Sequence, residues 1–285
     1  MARRLTTRRI FRWLKSAPLL AAAALIAFIA WSANEQRLAA PLVWGGLPKA
    51  PPAELAHVLR NPGFVVGYSE LRRNPLWVAY RVRSVHQKRR MPRPRGFRQD
   101  WRTVAWLRPT AFQPYGYDRG HLAPNYAIGQ LYGREAQYAT FRLSNVAPQA
   151  PALNRELWQR LEEIEVDDFP RRLGELQVIA GPVFRAPREL LPGGVEVPDA
   201  FYKILVDYDA RAPQALAFVM PQTARGDEPL DRFVASVDEI ERLTGLDFFA
   251  ALADPKEQAL EAGRAGAHWR LRQVANRPGR YRVGD

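Results

Sequence analysis

Cysteine is absent from this chain of 285 residues. Its absence excludes disulfide bonds, thiolate metal sites and cysteine nucleophiles, but it does not identify a compartment, because many exported proteins also lack cysteine. Histidine is scarce, so a catalytic imidazole has only four candidates. They are His57, His86, His121 and His268.

Acidic residues are outnumbered, since 29 Asp and Glu face 42 Lys and Arg and leave a net charge of +13. Six of the basic residues stand in the first fifteen positions, and the remainder of the chain still carries +7. Such a surplus favours a polyanionic partner, although a basic surface can also serve solubility alone. The hydrophobic share of 47% and the charged share of 25% are ordinary for a globular protein.

One uncharged apolar run, residues 17–33, follows the N-terminal arginines. Its length is at the short limit for a membrane-spanning helix and long for the core of a signal peptide. We favour an uncleaved anchor over a cleaved signal, for which the site after Ser32 is weak. The flanking arginines predict a cytoplasmic N-terminus, with the body of the chain outside the cytoplasm, whereas a cleaved signal would export it. A buried core helix is less favoured because no amphipathic stripe is present.

Local patterns predict four regions and a mixed fold. The regions are 1–33, the basic N-terminus with its anchor or signal; 34–60, a linker; 61–253, the main domain; and 254–285, a peripheral basic extension. Strands are predicted at 64–68, 76–82, 175–180, 201–207 and 215–220, and helices at 135–141, 154–166 and 230–243. Because strands and helices do not alternate regularly, we expect the α+β class.

Residues 84–102 form a basic loop in which prolines argue against a helix. Its seven basic residues are Lys88, Arg89, Arg90, Arg93, Arg95, Arg98 and Arg102. Contact with a polyanionic substrate is favoured over a merely solvated loop.

The chemistry is concentrated in three short segments. The first is Asp118-Arg119-Gly120-His121, whose histidine is suited to proton transfer near neutral pH, although a lone histidine is more often structural. The second, 143–149, has the sequence Leu-Ser-Asn-Val-Ala-Pro-Gln, and the third begins the helix predicted at 154–166.

In the third segment, Asn154 and Glu162 are eight residues apart and therefore share one face of the predicted helix. An asparagine at a helix start is normally an N-cap, but its amide oxygen can also bind a hard cation such as Mg²⁺.

The ordered set Asp-Arg-Gly-His, Leu-Ser-Asn-x-x-Pro-Gln and Asn-x-x-x-Trp-x-x-Leu-Glu resembles the DNA/RNA non-specific endonuclease family. The resemblance extends from about residue 64 to about 250, which makes 61–253 a nuclease domain. It implies a ββα-metal (His-Me finger) fold with a central antiparallel sheet flanked by helices. It also implies that DNA and RNA are the substrates.

The resemblance implies a role for each matching residue. His121 corresponds to the general base and Arg119 to an arginine near the phosphate. Asn154 corresponds to the direct ligand of Mg²⁺, for which Mn²⁺ is an alternative. Glu162 corresponds to the carboxylate that holds a metal-bound water, and Asn145 to an asparagine that supports the histidine region.

Two parts of the match are loose. In the basic loop, Arg95 best resembles a further phosphate-stabilising arginine, and Arg98 is a second candidate for substrate contact. Some members carry an arginine four residues beyond the glutamate, where this chain has Val166. The candidates to replace it are Arg160, Arg171 and Arg172, unless the function is absent.

Two alternatives to a nuclease stay open. One is a nuclease-like domain that binds nucleic acid without cutting it, although such domains usually lose the histidine or the metal asparagine. The other is a phosphodiesterase for small substrates, which the basic loop disfavours. Besides nucleic acid, the partners left open are a membrane, through the N-terminal segment, and a second copy in a homodimer.

The remaining candidates receive plain structural interpretations. Surface positions are expected for His57, His86 and His268, and a solvated helix end is expected for Asp167 and Asp168. Core or rim positions are favoured over base stacking for Trp77, Tyr80, Trp101 and Trp106.

Overall fold

The computed structural model describes residues 7–112, 115–264 and 266–279, with side chains from residue 18 onwards. The predicted basic cluster at the N-terminus and the last residues of the basic extension therefore lie outside the described part of the chain.

A seven-stranded antiparallel sheet with strand order β1-β2-β3-β6-β7-β8-β9 forms the centre of the molecule. A separate two-stranded sheet pairs β4 with β5, so that His121 lies opposite Val146. The strands are β1 (Ala56–Asn61), β2 (Phe64–Ser69), β3 (Asn74–Val82), β4 (Asp118–His121), β5 (Val146–Gln149), β6 (Leu176–Val183), β7 (Ala200–Asp207), β8 (Gln214–Pro221) and β9 (Val234–Ala235). Long runs of β-branched and aromatic residues account for the central strands.

Helices cover both faces and one edge of this sheet. They are α1 (Thr7–Ala39), α2 (Asn125–Ala139), α3 (Gln159–Asp167), α4 (Phe169–Leu173), α5 (Val237–Thr244) and α6 (Asp254–Glu261), and a π-helical turn, Leu153–Trp158, runs directly into α3. Short 3-10 turns lie at Ala40–Leu42, Pro52–Glu54, Pro109–Phe112, Leu143–Asn145, Leu230–Phe233, Ala267–Trp269 and Leu271–Gln273. The predicted α+β class with a central antiparallel sheet is confirmed.

The core has two main parts, one on each face of the sheet. Along β7 the side chains alternate, as a pleated strand requires. Phe201 and Leu205 pack toward α3, whereas Tyr202 and Ile204 pack toward the opposite face with Ile240 of α5. The helix that carries the predicted metal ligand is thereby fixed to the first face.

All five predicted strands are present, with ends shifted by a residue or a few. The helix predicted at 135–141 is the last part of α2, and the one predicted at 154–166 is divided into the π-helical turn and α3. The single helix predicted at 230–243 is wrong. A 3-10 turn and β9 precede α5, because Ser236 caps α5 in a reciprocal capping box with Glu239.

The segment predicted to be a linker and the one predicted to be a peripheral extension both belong partly to the folded domain. Within 34–60, the predicted linker, residues from Ala56 form β1 and pair with β2 along its whole length. Within 254–285, Trp269 is fully buried and its ring lies 5.3 Å from that of Phe169. The linker and extension interpretations are therefore wrong for these parts, because distant side chains complete the burial.

Of the other predicted surface residues, His86 is exposed and His268 is half-buried, with Nε2 2.8 Å from Asp207 Oδ2. His57 is buried, with only 3% of its surface exposed, which corrects the surface interpretation.

The acid pair at the end of α3 is matched by basic residues. Lys88 Nζ lies 3.1 Å from Asp167 Oδ1, and Arg277 Nη1 lies 2.5 Å from Asp168 Oδ2. Among the aromatic residues, Trp77 and Tyr80 are in the core, whereas Trp101 and Trp106 are exposed.

Candidate active site

An open cleft of about 650 Å³ lies between the β4–β5 pair, part of the basic loop and the π-helical turn with α3. Five of its lining residues are the ones considered below for catalysis: Arg93, Arg119, His121, Asn154 and Glu162. Four of these are matches of the sequence motifs. Segments that are far apart in the chain are therefore brought to one surface by the fold.

His121 lies at the end of β4, and its ring forms a cluster with two aromatic rings that also contact each other. The ring centroids of Phe97 and Phe141 are 5.0 Å and 4.8 Å from that of the imidazole. Burial, helped by the positive charges of Arg93 and Arg119, lowers the pKa of His121 to about 3. The imidazole is therefore neutral near pH 7, and its Nε2 has no hydrogen-bond partner among the described residues. A neutral, unengaged imidazole can accept a proton.

Asn145 does not line the cleft but holds the backbone next to His121. Its Oδ1 accepts a hydrogen bond from the Ala123 amide at 2.9 Å, and its Nδ2 donates to the carbonyls of Ala123 and Thr140 at 3.0 Å each. Its own carbonyl accepts from the Leu122 amide at 3.1 Å. The completely buried amide therefore fixes the two residues that follow the histidine.

The glycine of the motif is needed for close packing. A Cβ atom at Gly120 would lie 2.2 Å from Oε1 of Gln149 on the paired strand, which is closer than real contacts allow. Only a residue without a side chain lets β4 and β5 approach here.

Asn154 lies in the π-helical turn and is preceded by helical residues, so it is not the N-cap of the helix. Its Nδ2 donates to Asp118 Oδ2 at 2.9 Å, and no described residue donates a hydrogen bond to its Oδ1. Asp118 is held in turn by Arg155, at 2.7 Å and 2.6 Å. Partial burial of Asp118 favours its protonated form, but the hydrogen bonds from Arg155 and Asn154 outweigh burial and lower its pKa.

Asp118 is the motif residue to which the sequence assigned no role, and this arrangement shows that it positions Asn154. By taking the amide nitrogen, Asp118 leaves the amide oxygen of Asn154 available to a cation, which is the donor type that Mg²⁺ prefers. One-turn π-helical segments are frequent at functional sites.

Glu162 projects into the same cleft from α3. Burial raises its pKa to about 8; buried Lys203 opposes this shift and Glu165 adds to it. The carboxyl is consequently costly to ionise in these surroundings, and a cation bound nearby would favour the carboxylate. The Asn154 oxygen and the Glu162 carboxylate thus form a hard oxygen donor set that fits a divalent cation.

The arginines of the basic loop and Arg119 of β4 differ in their positions relative to the cleft. Arg93 lines the cleft with its guanidinium 5.2 Å from the centre of the Phe141 ring, and Arg119 lies 4.7 Å from that of Phe97. Arg95 and Arg98 are exposed and do not line the cleft, and Arg98 lies over Tyr138 instead.

Arg93 is therefore the cleft arginine that the sequence match at Arg95 missed. The segment Pro92-Arg-Pro-Arg-Gly96 repeats an arginine after two residues. It offers no local signal for choosing between the two arginines.

Arg102, another basic residue of the loop, is held by contacts within the fold. Arg102 makes a double ion pair with buried Asp100, with Nη2–Oδ2 at 2.6 Å and Nε–Oδ1 at 2.8 Å. It also donates to the Arg60 carbonyl and the Asn61 side chain. Arg102 is therefore a poor candidate for substrate contact.

Val166, which stands where some family members carry an arginine, is buried in the core. The three candidates from the sequence, Arg160, Arg171 and Arg172, do not line the cleft. Arg160 donates to the Glu228 carbonyl, and Arg172 to the carbonyls of the 3-10 turn Ala267–Trp269. Arg155 does line the cleft, paired with Asp118.

A histidine on a short strand pair, faced by an asparagine and a glutamate on the following helix, defines a nuclease-type site on an α+β fold. Residues 48–255 match the DNA/RNA non-specific endonuclease family, and the chain belongs to this family. It is therefore a nuclease, a hydrolase of nucleic acids.

Individual relatives agree with this assignment. The chain is 34% identical to human mitochondrial endonuclease G over 212 residues, which covers 68% of this chain and 70% of the relative. It is 29% identical to a nuclease of Nostoc over 240 residues, covering 78% and 84%. A crystal structure of an EndoG/EndoGI complex is similar with a TM-score of 0.67 and 26% identity, covering 77% of this chain and 94% of the other.

Proposed function

We propose that this protein is a metal-dependent, sequence-nonspecific endonuclease that hydrolyses phosphodiester bonds of DNA and RNA, with His121 as the general base. The observation that carries the proposal is that one cleft is lined by His121, by Arg93 and Arg119, and by the Asn154 amide and the Glu162 carboxyl.

In the proposed reaction His121 accepts a proton from a water molecule whose oxygen attacks the phosphorus. The bond from phosphorus to the 3′ oxygen breaks, and that oxygen leaves with the bond's electron pair and is protonated. Arg93 and Arg119 stabilise the negative charge that develops on the phosphoryl oxygens, because fixed donors in a site need no reorganisation. Phe97 and Phe141 keep the imidazole oriented.

Asn154 and Glu162 would hold the divalent cation, the first through its Oδ1 and the second through a water molecule. Mg²⁺ is the proposed ion, with Mn²⁺ as an alternative. When bound, the cation supplies charge neutralisation at the leaving oxygen. Support comes from the amide oxygen of Asn154, whose amide nitrogen Asp118 holds, and from the half-buried carboxyl of Glu162, whose ionisation a cation would favour.

Lack of specificity follows from the same proposal. Because the nucleophile is water, no 2′-hydroxyl is required, so both DNA and RNA can be cut. Arginine contacts to phosphates carry no sequence information. The basic loop and the overall surplus of positive charge would add affinity for any polyanionic strand.

We further propose that the N-terminal helix anchors the nuclease domain to a membrane, outside the cytoplasm. A helical segment, Pro18–Leu42, is long and apolar enough to cross a membrane by length and composition, and none of its most apolar window is buried. Export after signal cleavage is the alternative. The homodimer also stays a prediction, which sedimentation velocity of the purified protein would test.

Cleavage of plasmid DNA and of a structured RNA, with Mg²⁺ and with EDTA, tests the proposal. Metal-dependent cutting of both polymers by the wild type, and none by His121→Ala, is expected. Binding without cleavage would favour an inactive nucleic-acid-binding domain. Faster hydrolysis of a dinucleotide than of a plasmid would favour a phosphodiesterase for small substrates.

A further inference from the structure

Outside α1, several of the most exposed apolar side chains of the described residues are gathered at one end of the sheet. We call them the apolar rim: Leu55, Leu71, Val104 and Trp106, which are exposed by 66%, 45%, 76% and 72%. Leu55 directly precedes β1, Leu71 lies in the turn between β2 and β3, and the other two lie in the segment 101–106. An exposed apolar patch of this kind marks an interaction surface.

The segment 101–106 is held in place by this end of the sheet. The amides of Val104 and Ala105 donate to the two carboxylate oxygens of Glu70, at 2.9 Å and 3.1 Å. Glu70 lies in the turn between β2 and β3, next to Leu71. The exposed side chains of Val104 and Trp106 are therefore displayed on a loop that Glu70 holds.

The same end of the sheet contacts the apolar N-terminal helix. The His57 ring lies 5.7 Å from that of Phe28 and 6.0 Å from that of Trp31, and its Nε2 lies 3.6 Å from Glu70 Oε1. His57 thus connects the end of the apolar run to the residue that holds the rim.

The helix also continues into the domain without a flexible connection. Farther along α1, Glu35 pairs with Arg60 of β1 at 2.9 Å and 3.0 Å, and Ala39 is fully buried. The domain consequently has a fixed orientation relative to the apolar run.

The length of the apolar run places the domain close to the bilayer. At a rise of about 1.5 Å per residue, residues 17–33 extend over about 25 Å, which is less than the ~30 Å hydrocarbon core. A short span is accommodated when the bilayer thins or when flanking groups enter it. Phe28 and Trp31, which contact His57, are themselves inside this run.

We propose that the apolar rim inserts into the interfacial layer of the same bilayer that α1 spans. Tryptophan is favoured in that layer because its ring is apolar and its N–H remains polar. The inference rests on the proposed membrane anchor. It goes beyond the anchor because the domain would then be attached to the bilayer at two points, α1 and the apolar rim, with one face toward the lipid.

Site-directed labelling of the full-length chain tests this directly, since the sequence has no cysteine to compete with the label. Val104→Cys reports on the rim, and Leu25→Cys reports on the helix. Ala212→Cys is the matched control, because residue 212 is exposed in the turn between β7 and β8. That turn lies at the end of the sheet opposite Ser69 and Asn74.

Each variant is labelled with bimane and reconstituted into phosphatidylcholine–phosphatidylglycerol vesicles with or without nitroxide-labelled phosphatidylcholine. Nuclease activity of each labelled protein checks its fold. We expect strong quenching at positions 25 and 104, with that at 104 at least about twofold above that at 212 because an interfacial side chain meets the lipid.

Three outcomes would overturn the inference. If the label at residue 25 is quenched but the labels at residues 104 and 212 are quenched equally, the anchor is retained and insertion of the rim is rejected. No quenching at 25 would reject the anchor itself, and with it the inference. A label at 104 that responds to an added oligonucleotide or to unlabelled protein, and not to the nitroxide lipid, would assign the surface to nucleic acid or to a second copy.

Discussion

The two faces of the seven-stranded sheet differ in the groups that they bury. On the face toward α3, Lys203 of β7 and Glu165 form a completely buried ion pair at 2.7 Å, close to Glu162. On the opposite face β7 contributes Tyr202 and Ile204 to an apolar core. A buried ion pair is weak evidence for stability, because desolvation offsets the attraction. The completely buried ion pair therefore lies on the face of the sheet that also carries the cleft.

The largest expected effect concerns the cleft itself. His121→Ala should lower the cleavage rate by about 10²–10⁴, the contribution of a general base. Asp238→Ala, an exposed carboxylate on α5, is the control from the other face and should leave the rate unchanged. Plasmid cleavage kinetics measure both. Near wild-type turnover by His121→Ala would remove the histidine from its proposed role.

The buried ion pair should be the most sensitive part of the core beneath the cleft. Lys203→Met leaves Glu165 without its cation and should destabilise the fold by about 3–5 kcal/mol. The double variant Lys203→Met/Glu165→Met should recover most of this loss, because no unpaired charge remains. Urea unfolding compares the two. If the single and double variants are equally unstable, lost packing rather than lost pairing is responsible.

Arg93 and Arg95 of the basic loop differ in position, because only Arg93 lines the cleft. Arg93→Ala should lower turnover at saturating substrate on the order of 10², as loss of a fixed donor to the phosphate does. Arg95→Ala should change turnover little, because its exposed side chain does not line the cleft. Steady-state kinetics on both variants decide. Equal losses would restore the sequence match at Arg95 to a role in catalysis.

Two asparagines of the cleft offer a matched test of the metal site. Asn154→Ala should raise the Mg²⁺ concentration that gives half-maximal activity by at least about tenfold, because it removes a hard oxygen ligand. Asn125→Ala should not, since Asn125 Oδ1 already accepts from Gln137 at 3.0 Å. Metal titrations, with melting curves as a check on folding, compare them. An unchanged titration for Asn154→Ala would exclude it as the ligand.

The smallest effect is expected on the opposite face, where Glu261 lies close to Asp238 and Glu241. Burial, with Glu241 and Glu257 adding to it, raises the pKa of Glu261 from 4.5 to about 8. Between pH 4.5 and about pH 8 the folded state therefore binds more protons than the unfolded state. The stability contributed by Glu261 is fully present below pH 4.5 and is lost as the pH rises toward about 8.

Glu261→Gln cannot ionise and should flatten the pH dependence of the melting temperature across that window, without changing activity. Melting curves between about pH 5 and pH 9 measure the effect. A variant whose curve parallels that of the wild type would show that Glu261 does not titrate as its burial suggests.

Much of the site could be predicted because its chemistry lies in short segments of fixed spacing. Asp118 to His121 supplies the proposed base and its strand, and the spacing of eight residues from Asn154 to Glu162 places both on one helical surface. The role of Asp118, which accepts hydrogen bonds from both Asn154 and Arg155, could not be predicted. It depends on a hydrogen bond to a residue 36 positions away.

The family, the α+β class and the central strands could be predicted from the sequence alone, because periodicity and motif spacing are local properties. Tertiary packing was needed to show that Arg93 rather than Arg95 lines the cleft, that His57 is buried and that Trp269 completes the core. Burial depends on which distant segments pack together. No pattern within a few residues contains that information.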